Sequence, residues 1–444
     1  AVWPATPGME LVALRCVAEG RRQALTAERV AVERAPELQT LLAQQPGLGP
    51  MAVLERALVA LVDQRTDTAR DLAAAALKQA GGNDYLAARC LTVLSGVAAA
   101  EGNFPKMAAL AERADASAPA ENWRGTSAAA VTAYLQGYRA LLLAKPAECL
   151  ALTESTLAFA DALGQATSAL FGAALAAIRG AAMTEHGQVT DGLSLLADAR
   201  TAADKRLPDR YLALIAVLEH EAAIDFGHVD RARAILAWAV ERLPDTAEVQ
   251  LLRARQQFQL GRNAPARRHL SAVLHGQTAP PLVAWTVVDA WVLACRSALR
   301  SDNHGHALRT VRRAVHLASQ LDVLRPLLHS DEVVDLIREL HWPPTLASFT
   351  ARVLDMSRPR PVRSRVALTE AERAVLGMLS TQQTTKEIAE ALMVSPNTVK
   401  THIRTIYGKL GAHTRREALT VAQAGGLASP AFEKSDSGFS ARPP

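Results

Sequence analysis

Asn397, Lys400, Thr401 and Arg404 follow one another at steps of three, one and three residues, a spacing that puts all four on one face of any helix carrying them. Lysine and arginine at such positions donate hydrogen bonds of the kind that reach guanine O6 and N7, and a threonine methyl can meet a thymine methyl. On the opposite side Val399, Ile403, Ile406 and Leu410 recur at steps of four, three and four, a stripe suited to burial. The segment therefore offers one polar, donor-rich face and one apolar face.

The element holding that face has clear ends. Ser395 is placed as an N-cap with Pro396 at the first helical position, and Gly411 is free to take the left-handed conformation that closes a helix. Three Thr-x-x-Glu boxes, Thr369 to Glu372, Thr384 to Glu387 and Thr414 to Glu417, mark three further helix starts, since hydroxyl and carboxylate there satisfy orphan backbone N–H groups. The spacing predicts four short helices within residues 367–427. The first buries Leu376 and Leu379, the second Ile388, Ala389 and Leu392, and a tight turn through Met393 and Val394 leads into the third, as in a helix-turn-helix.

Charge is concentrated in the same region. The chain of 444 residues carries a formal +5, yet between Ser357 and Gly426 eleven basic residues face five acidic ones, so the remainder is close to −1. A local basic excess suits a polyanionic partner. Just upstream, residues 353–366 read as a tether, because Pro359 and Pro361 stop helices while Arg358, Arg360, Arg363 and Arg365 repel one another. Residues 428–444 read as a flexible tail.

Residues 1–352 carry a weak repeat. From Gly227 a small residue follows five positions on at Ala232 and another seven later at Ala239, with Pro244 ending the unit; the phasing returns 34 residues later at Gly261, with Ala266 and Val273. Looser copies begin at Gln64, Gly102, Ala144, Gly187 and Asp302. Small residues seven apart share a helix face and let a second helix approach closely. An all-α array of helical hairpins is expected, offering a long concave surface to a ligand or protein. Its composition agrees: 49% hydrophobic but only 4% aromatic, with alanine and leucine dominating.

Chemistry other than binding finds little footing. The chain contains no phosphate-loop, GxGxxG, HExxH or GxSxG pattern, so it does not read as an enzyme. The acidic pairs Glu219/Glu221 and Asp331/Glu332 read as solvated helix surface, and the six tryptophans, Trp3, Trp123, Trp238, Trp285, Trp291 and Trp342, as packing residues rather than pocket lining. Cys16, Cys90, Cys149 and Cys295 are too scattered for a zinc site or disulfide framework, and His304-Gly-His306 reads as a repeat turn, so no metal and no cofactor is expected. The most apolar stretch, Ala166 to Ile178, is too short to span a bilayer and no signal peptide is evident, so a cytoplasmic protein without membrane contact is expected.

Leu368-Thr369, Glu372, Val375-Leu376, Lys386 to Ala389, Leu392, Val394-Ser395, Asn397 to His402, Ile406, Lys409 to Gly411 and Arg415 to Ala418 together resemble the LuxR/FixJ-type DNA-binding domain almost position by position. The resemblance implies a transcription regulator in which Asn397, Lys400, Thr401 and Arg404 face bases of double-stranded DNA. It places Lys386, Thr398, His402 and Lys409 near the sugar-phosphate backbone. The fourth helix, with Thr414, Arg415, Glu417, Ala418 and Val421, would pair two modules into a homodimer on DNA, in the nucleoid and in reach of RNA polymerase. Ala371 and Gln382 depart from the pattern, where the family often has arginine and glycine. The upstream array resembles tetratricopeptide repeats, and the whole layout resembles the C-terminal portion of MalT-like large regulators, which implies an effector or partner on the repeats. The alternative is an interaction scaffold whose terminal module mainly dimerises.

Overall fold

The computed structural model describes residues 49–118, 123, 126–160, 165–203, 207–357, 370–380, 383–410 and 414–424, and among these the regular structure is entirely helical. They fall into two compact units, an array that reaches to residue 358, apart from the short 225–228 turn, and a C-terminal module.

Among the described residues of the array there are seven helical hairpins: α1 (Gly49–Val62) with α2 (Thr66–Lys78), α3 (Asp84–Ala100) with α4 (Phe104–Ser117), α5 (Ser127–Leu142) with α6 (Pro146–Ala160), α7 (Gln165–His186) with α8 (Val189–Ala202), α9 (Asp209–Asp225) with α10 (Val229–Arg242), α11 (Ala247–Gln259) with α12 (Asn263–Leu274), and α13 (Thr286–Leu299) with α14 (His304–Leu321). Every hairpin turns at the residue picked out by the repeat phasing. Gln64, Gly102, Ala144, Gly187, Gly227, Gly261 and Asp302 all have positive φ, between 52° and 101°. In six of the hairpins the next N–H bonds to the carbonyl five residues back, as Arg65 does to Ala60 and Asn103 to Ala98. That is the Schellman closure, which satisfies carbonyls the helix end leaves orphaned. Gln64, Ala144 and Asp302 adopt the conformation without being glycine, at about 1 kcal/mol or more each, so the closing bonds and the packing behind them outweigh local preference.

Beyond each turn, the residues five and twelve places on are buried in all seven hairpins, as the phasing predicts. A third small position, seven residues before the turn, was not evident from the repeat; it is filled by Ala57, Ser95, Gly137, Gly180, Ala254 and Cys295, while in α9 His220 stands there. Ser95 Oγ donates to Met107 O at 2.7 Å, and Cys295 Sγ lies 3.5 Å from Ala307 O. In α7 and α8 two glycines meet: a Cβ on Gly192 would lie 2.7 Å from Gly180 O, and one on Gly180 would lie 2.9 Å from Gly192 O. In these three hairpins the position before the turn therefore touches the backbone of the residue five places after it, and this contact sets how closely the pair packs.

The array also folds back on itself. Leu324 N–H donates to Leu142 O at 2.9 Å, Arg139 donates to Asp322 O at 2.7 Å and pairs with its carboxylate, and Trp285 Nε1 donates to Tyr138 Oη at 2.8 Å. The face expected to lie open is thus partly filled by the chain itself, through the segment before α13 and the short α15 (Arg325–Leu328). Two further helices, α16 (Asp331–Glu339) and α17 (Pro344–Met356), complete the unit. Val353 is wholly buried, so helix α17 continues through residues 353–356, which the fading pattern had assigned to the tether.

One expectation is overturned outright. Glu219 and Glu221 are not solvated helix surface: they are 0% and 6% exposed. Glu219 lies between Arg200 at 2.7 Å and Arg231 at 3.0 Å. Glu221 accepts from Arg325 at 3.0 Å and pairs with His329, while Arg325 also donates to Glu185 at 2.6 Å and Arg255 bonds Asp289 at 2.7 Å. An inner helix of an array has neighbours on several sides, so a charge on its flank is buried and must be matched. Asp331 and Glu332 are exposed, as expected.

Trp123 and Trp285 are buried and Trp238 is half-buried, whereas Trp291 and Trp342 border a basic groove with Arg309, Arg312 and Arg313. Cys90, Cys149 and Cys295 are buried free thiols; Cys16 and Trp3 lie outside the described residues.

Two outcomes check this packing. Gly192→Ala should cost about 1–3 kcal/mol, read as a fall in thermal midpoint of the array, because the added methyl meets backbone that cannot step aside. Arg325→Met should cost about 3–5 kcal/mol at pH 7, since it leaves buried carboxylates without their cation. Burial alone would raise Glu185, but Arg325 and His329 outweigh it and hold it down at about 2. In the native chain this contribution is present above the ordinary carboxylate range near 4.5 and is lost as pH falls toward 2. In the variant the same carboxylates should titrate upward, so its deficit should shrink between pH 7 and 5; a constant deficit would refute the ionic account.

Candidate nucleic-acid interface

The C-terminal module consists of α18 (Glu370–Ser380), α19 (Thr385–Ala391), α20 (Pro396–Leu410) and α21 (Arg415–Ala424). Its core brings together Val375, Leu376 and Leu379 from α18, Ile388 and Ala389 from α19, Val399 and Ile406 from α20, and Ala418 and Ala422 from α21. Leu392 and Ile403 pack against that core half-buried, and Val375, part of the resemblance but not of the expected buried set, is fully buried.

The helix starts follow the predicted chemistry. Thr384 and Glu387 form a complete capping box: Thr384 N–H donates to the Glu387 carboxylate at 2.6 Å and Glu387 N–H donates to Thr384 Oγ1 at 3.3 Å. Those donors hold the Glu387 carboxyl below its usual range. Ser395 Oγ accepts from Thr398 N–H at 3.1 Å, and Thr414 Oγ1 accepts from Glu417 N–H at 3.2 Å. Between α19 and α20 Met393 takes φ +53° and Val394 N–H reaches back to Ala389 O, so a left-handed closure like those of the array makes the tight turn. Thr369, Gln382 and Gly411 lie outside the described residues, as does the tether after Ser357.

On α20 the four face residues are all exposed: Asn397, Lys400, Thr401 and Arg404. Thr401 donates its hydroxyl to Asn397 O at 3.0 Å, which restrains the side chain. Seven residues of helix span about 10 Å, the reach of a few base-pair steps in a major groove about 12 Å wide. Lys386 and Thr398 are exposed and His402 is half-buried, with the Thr398 hydroxyl 2.8 Å from that of Ser395. The side chains of Lys409, Leu410 and Val421 lie outside the described residues.

Two residues of α21 have a role inside the module. Ala418 is fully buried in the module's own core. Arg415 reaches back to the end of α18, donating to Leu379 O at 3.1 and 2.6 Å and to Gln383 O at 2.9 Å. It supplies donors to carbonyls at and beyond a helix end, so it holds the module together. Among the described side chains here, Thr414, Arg416 and Glu417 are exposed. No spacing rule links Arg415 to Leu379, which is why the sequence pattern missed this.

Residues 366–422 match the family described as bacterial regulatory proteins of the luxR family. The C-terminal module is a LuxR-family helix-turn-helix domain. The LuxR-type module is similar to that of an HTH-type transcriptional regulator of Mycobacterium tuberculosis, 45% identical over 58 residues, 13% of this chain and 7% of that protein. The transcriptional regulatory protein YdfI of Bacillus subtilis is 39% identical over 74 residues, 17% of this chain and 35% of YdfI. The HTH-type transcriptional regulator MalT of Yersinia pestis is 45% identical over 56 residues, 13% of this chain and 6% of MalT. The chain thus spans only a minor part of the relatives it matches. A TPR domain of P58(IPK) aligns over 79% of this chain at 13% identity with a TM-score of 0.22, too distant to add to what the hairpins themselves show.

Arg415→Met should destabilise the LuxR-type module by about 1–3 kcal/mol, seen as faster hydrogen exchange at the buried core of α18 and α20. The loss should not depend on protein concentration; a loss appearing only where the chain self-associates would return Arg415 to a pairing role.

Proposed function

We propose that this chain is a sequence-specific regulator of transcription that binds double-stranded DNA through α20. The observation that carries the reading is the exposed face of Asn397, Lys400, Thr401 and Arg404 on a capped helix whose other side is locked into the module core. Lys400 and Arg404 have no ion-pair partner among the described residues, so their donors are free for base edges. Lys386, Thr398, His402 and Lys409 serve the phosphate backbone. Two modules pair on DNA through α21, with Thr414, Glu417 and Val421 as the pairing residues, and the bound regulator works with RNA polymerase. The array, joined to the module by the arginine- and proline-rich tether, takes an effector or partner and controls the module's access to its site. Among the described residues no helix is long and apolar enough to cross a membrane.

Selection of bound duplexes from a random pool yields the operator, and a salt-titrated binding assay then separates the roles. Arg404→Ala should cost about 1–3 kcal/mol on the selected site and little on random DNA. Lys386→Ala should weaken both alike and reduce the dependence on salt by about one counterion. Unchanged discrimination with Arg404→Ala would remove α20 from the groove.

A further inference from the structure

A cavity of about 280 Å³ lies inside the array, between α1, α3, α5, the start of α9 and the segment 282–284. One wall is aliphatic, with Leu58, Val93 and Val131; the other is aromatic, with Phe104 and the stacked rings of Tyr134 and Tyr138, 6.1 Å apart. Three charged side chains line it. Glu55 and Arg89 are both buried and bond each other at 2.6 Å, so they cancel. Arg210 is left over. Its guanidinium lies 4.9 Å from the centre of the Tyr211 ring and donates to Tyr211 Oη at 3.3 Å. It has no carboxylate partner among the described residues, and its Nε is shielded from solvent without a hydrogen-bond acceptor.

A half-buried guanidinium facing an apolar chamber leaves one positive charge and at least one donor unmatched, an arrangement that costs free energy unless an acceptor arrives. The chamber is small beside the roughly 300–1,000 Å³ usual for drug-sized ligands, so the occupant is compact. Its lining has too few free hydrogen-bonding groups to hold a polyhydroxylated molecule. We propose that this cavity binds a compact apolar carboxylic acid, its hydrocarbon or ring body between the aliphatic and aromatic walls and its carboxylate on Arg210. This rests on the reading of the array as a sensor and gives the effector a chemical class: a monoanion that matches the one uncompensated charge of the lining. The wall includes α1 and α3 from one end of the array and the 282–284 segment from the other, so occupancy braces the closure of the array on itself.

The test uses the whole chain without DNA, with decanoate and its neutral counterpart decanol as probes in titration calorimetry. Decanoate should bind at one site at least about tenfold more tightly than decanol. Arg210→Gln should abolish that preference while leaving decanol unchanged, and Val131→Phe, its fold checked by circular dichroism, should weaken both probes. Equal binding of the two probes by the native chain, or decanoate binding indifferent to both substitutions, would overturn the proposal, as would no binding of either at millimolar concentration. DNA affinity is then measured with and without decanoate. Binding of decanoate with no change in DNA affinity supports the cavity and removes its control over the module, so the two readings fail separately.

Discussion

Arg325 lies wholly inside the array, and a charge so placed must be matched where it sits. Glu185 from α7 and Glu221 from α9 converge on it, Arg255 from α11 and Asp289 from α13 extend the network, and the guanidinium also lies 5.8 Å from the Trp285 ring. Each carboxylate belongs to a different hairpin. Their ionisation inside the protein is tolerable only while the hairpins keep their spacing and α15 stays in place. Such networks give little net stability relative to an apolar core, but they penalise every arrangement that leaves a partner alone. The array is thereby held in one curvature, which leaves a shaped cavity beside Tyr134 and Tyr138 instead of an open trough.

Hairpin packing supplies the regularity on which that hub rests. In six of the seven hairpins a small residue before the turn lets the backbones approach, and in all seven a left-handed residue closes the turn. Where glycine faces glycine in α7 and α8 the approach is limited by backbone atoms, so the geometry admits little adjustment.

The LuxR-type module uses different means for the same end. It is small, so its few buried side chains are supplemented by caps at the starts of α19, α20 and α21 and by Arg415 bound to carbonyls at the end of α18. Among the described residues, the apolar contacts and the N-cap that fix α20 lie on its inner side and at its start. The outer face, with Asn397, Lys400, Thr401 and Arg404, is left exposed.

The sequence alone determined whatever depends on neighbours a few residues away. Turn positions, helix starts, the α20 stripe and its opposite face are local, because caps act within one turn and helical periodicity repeats every three to four residues. For that reason Gln64, Ala144 and Asp302 could be placed as turns beside the glycines, and Ser395 and Thr384 as caps. Tertiary structure decided what depends on distant partners. Glu219 and Glu221 looked like solvated surface because Arg200, Arg231 and Arg325 reach them from other helices, with 104 residues separating Glu221 from Arg325. The pairing role of Arg415 and Ala418 came from the resemblance, and nothing within a turn of them reveals Leu379 or the module core. Arg210 became distinctive only when folding surrounded it with apolar walls and matched the other charges of the cavity to each other.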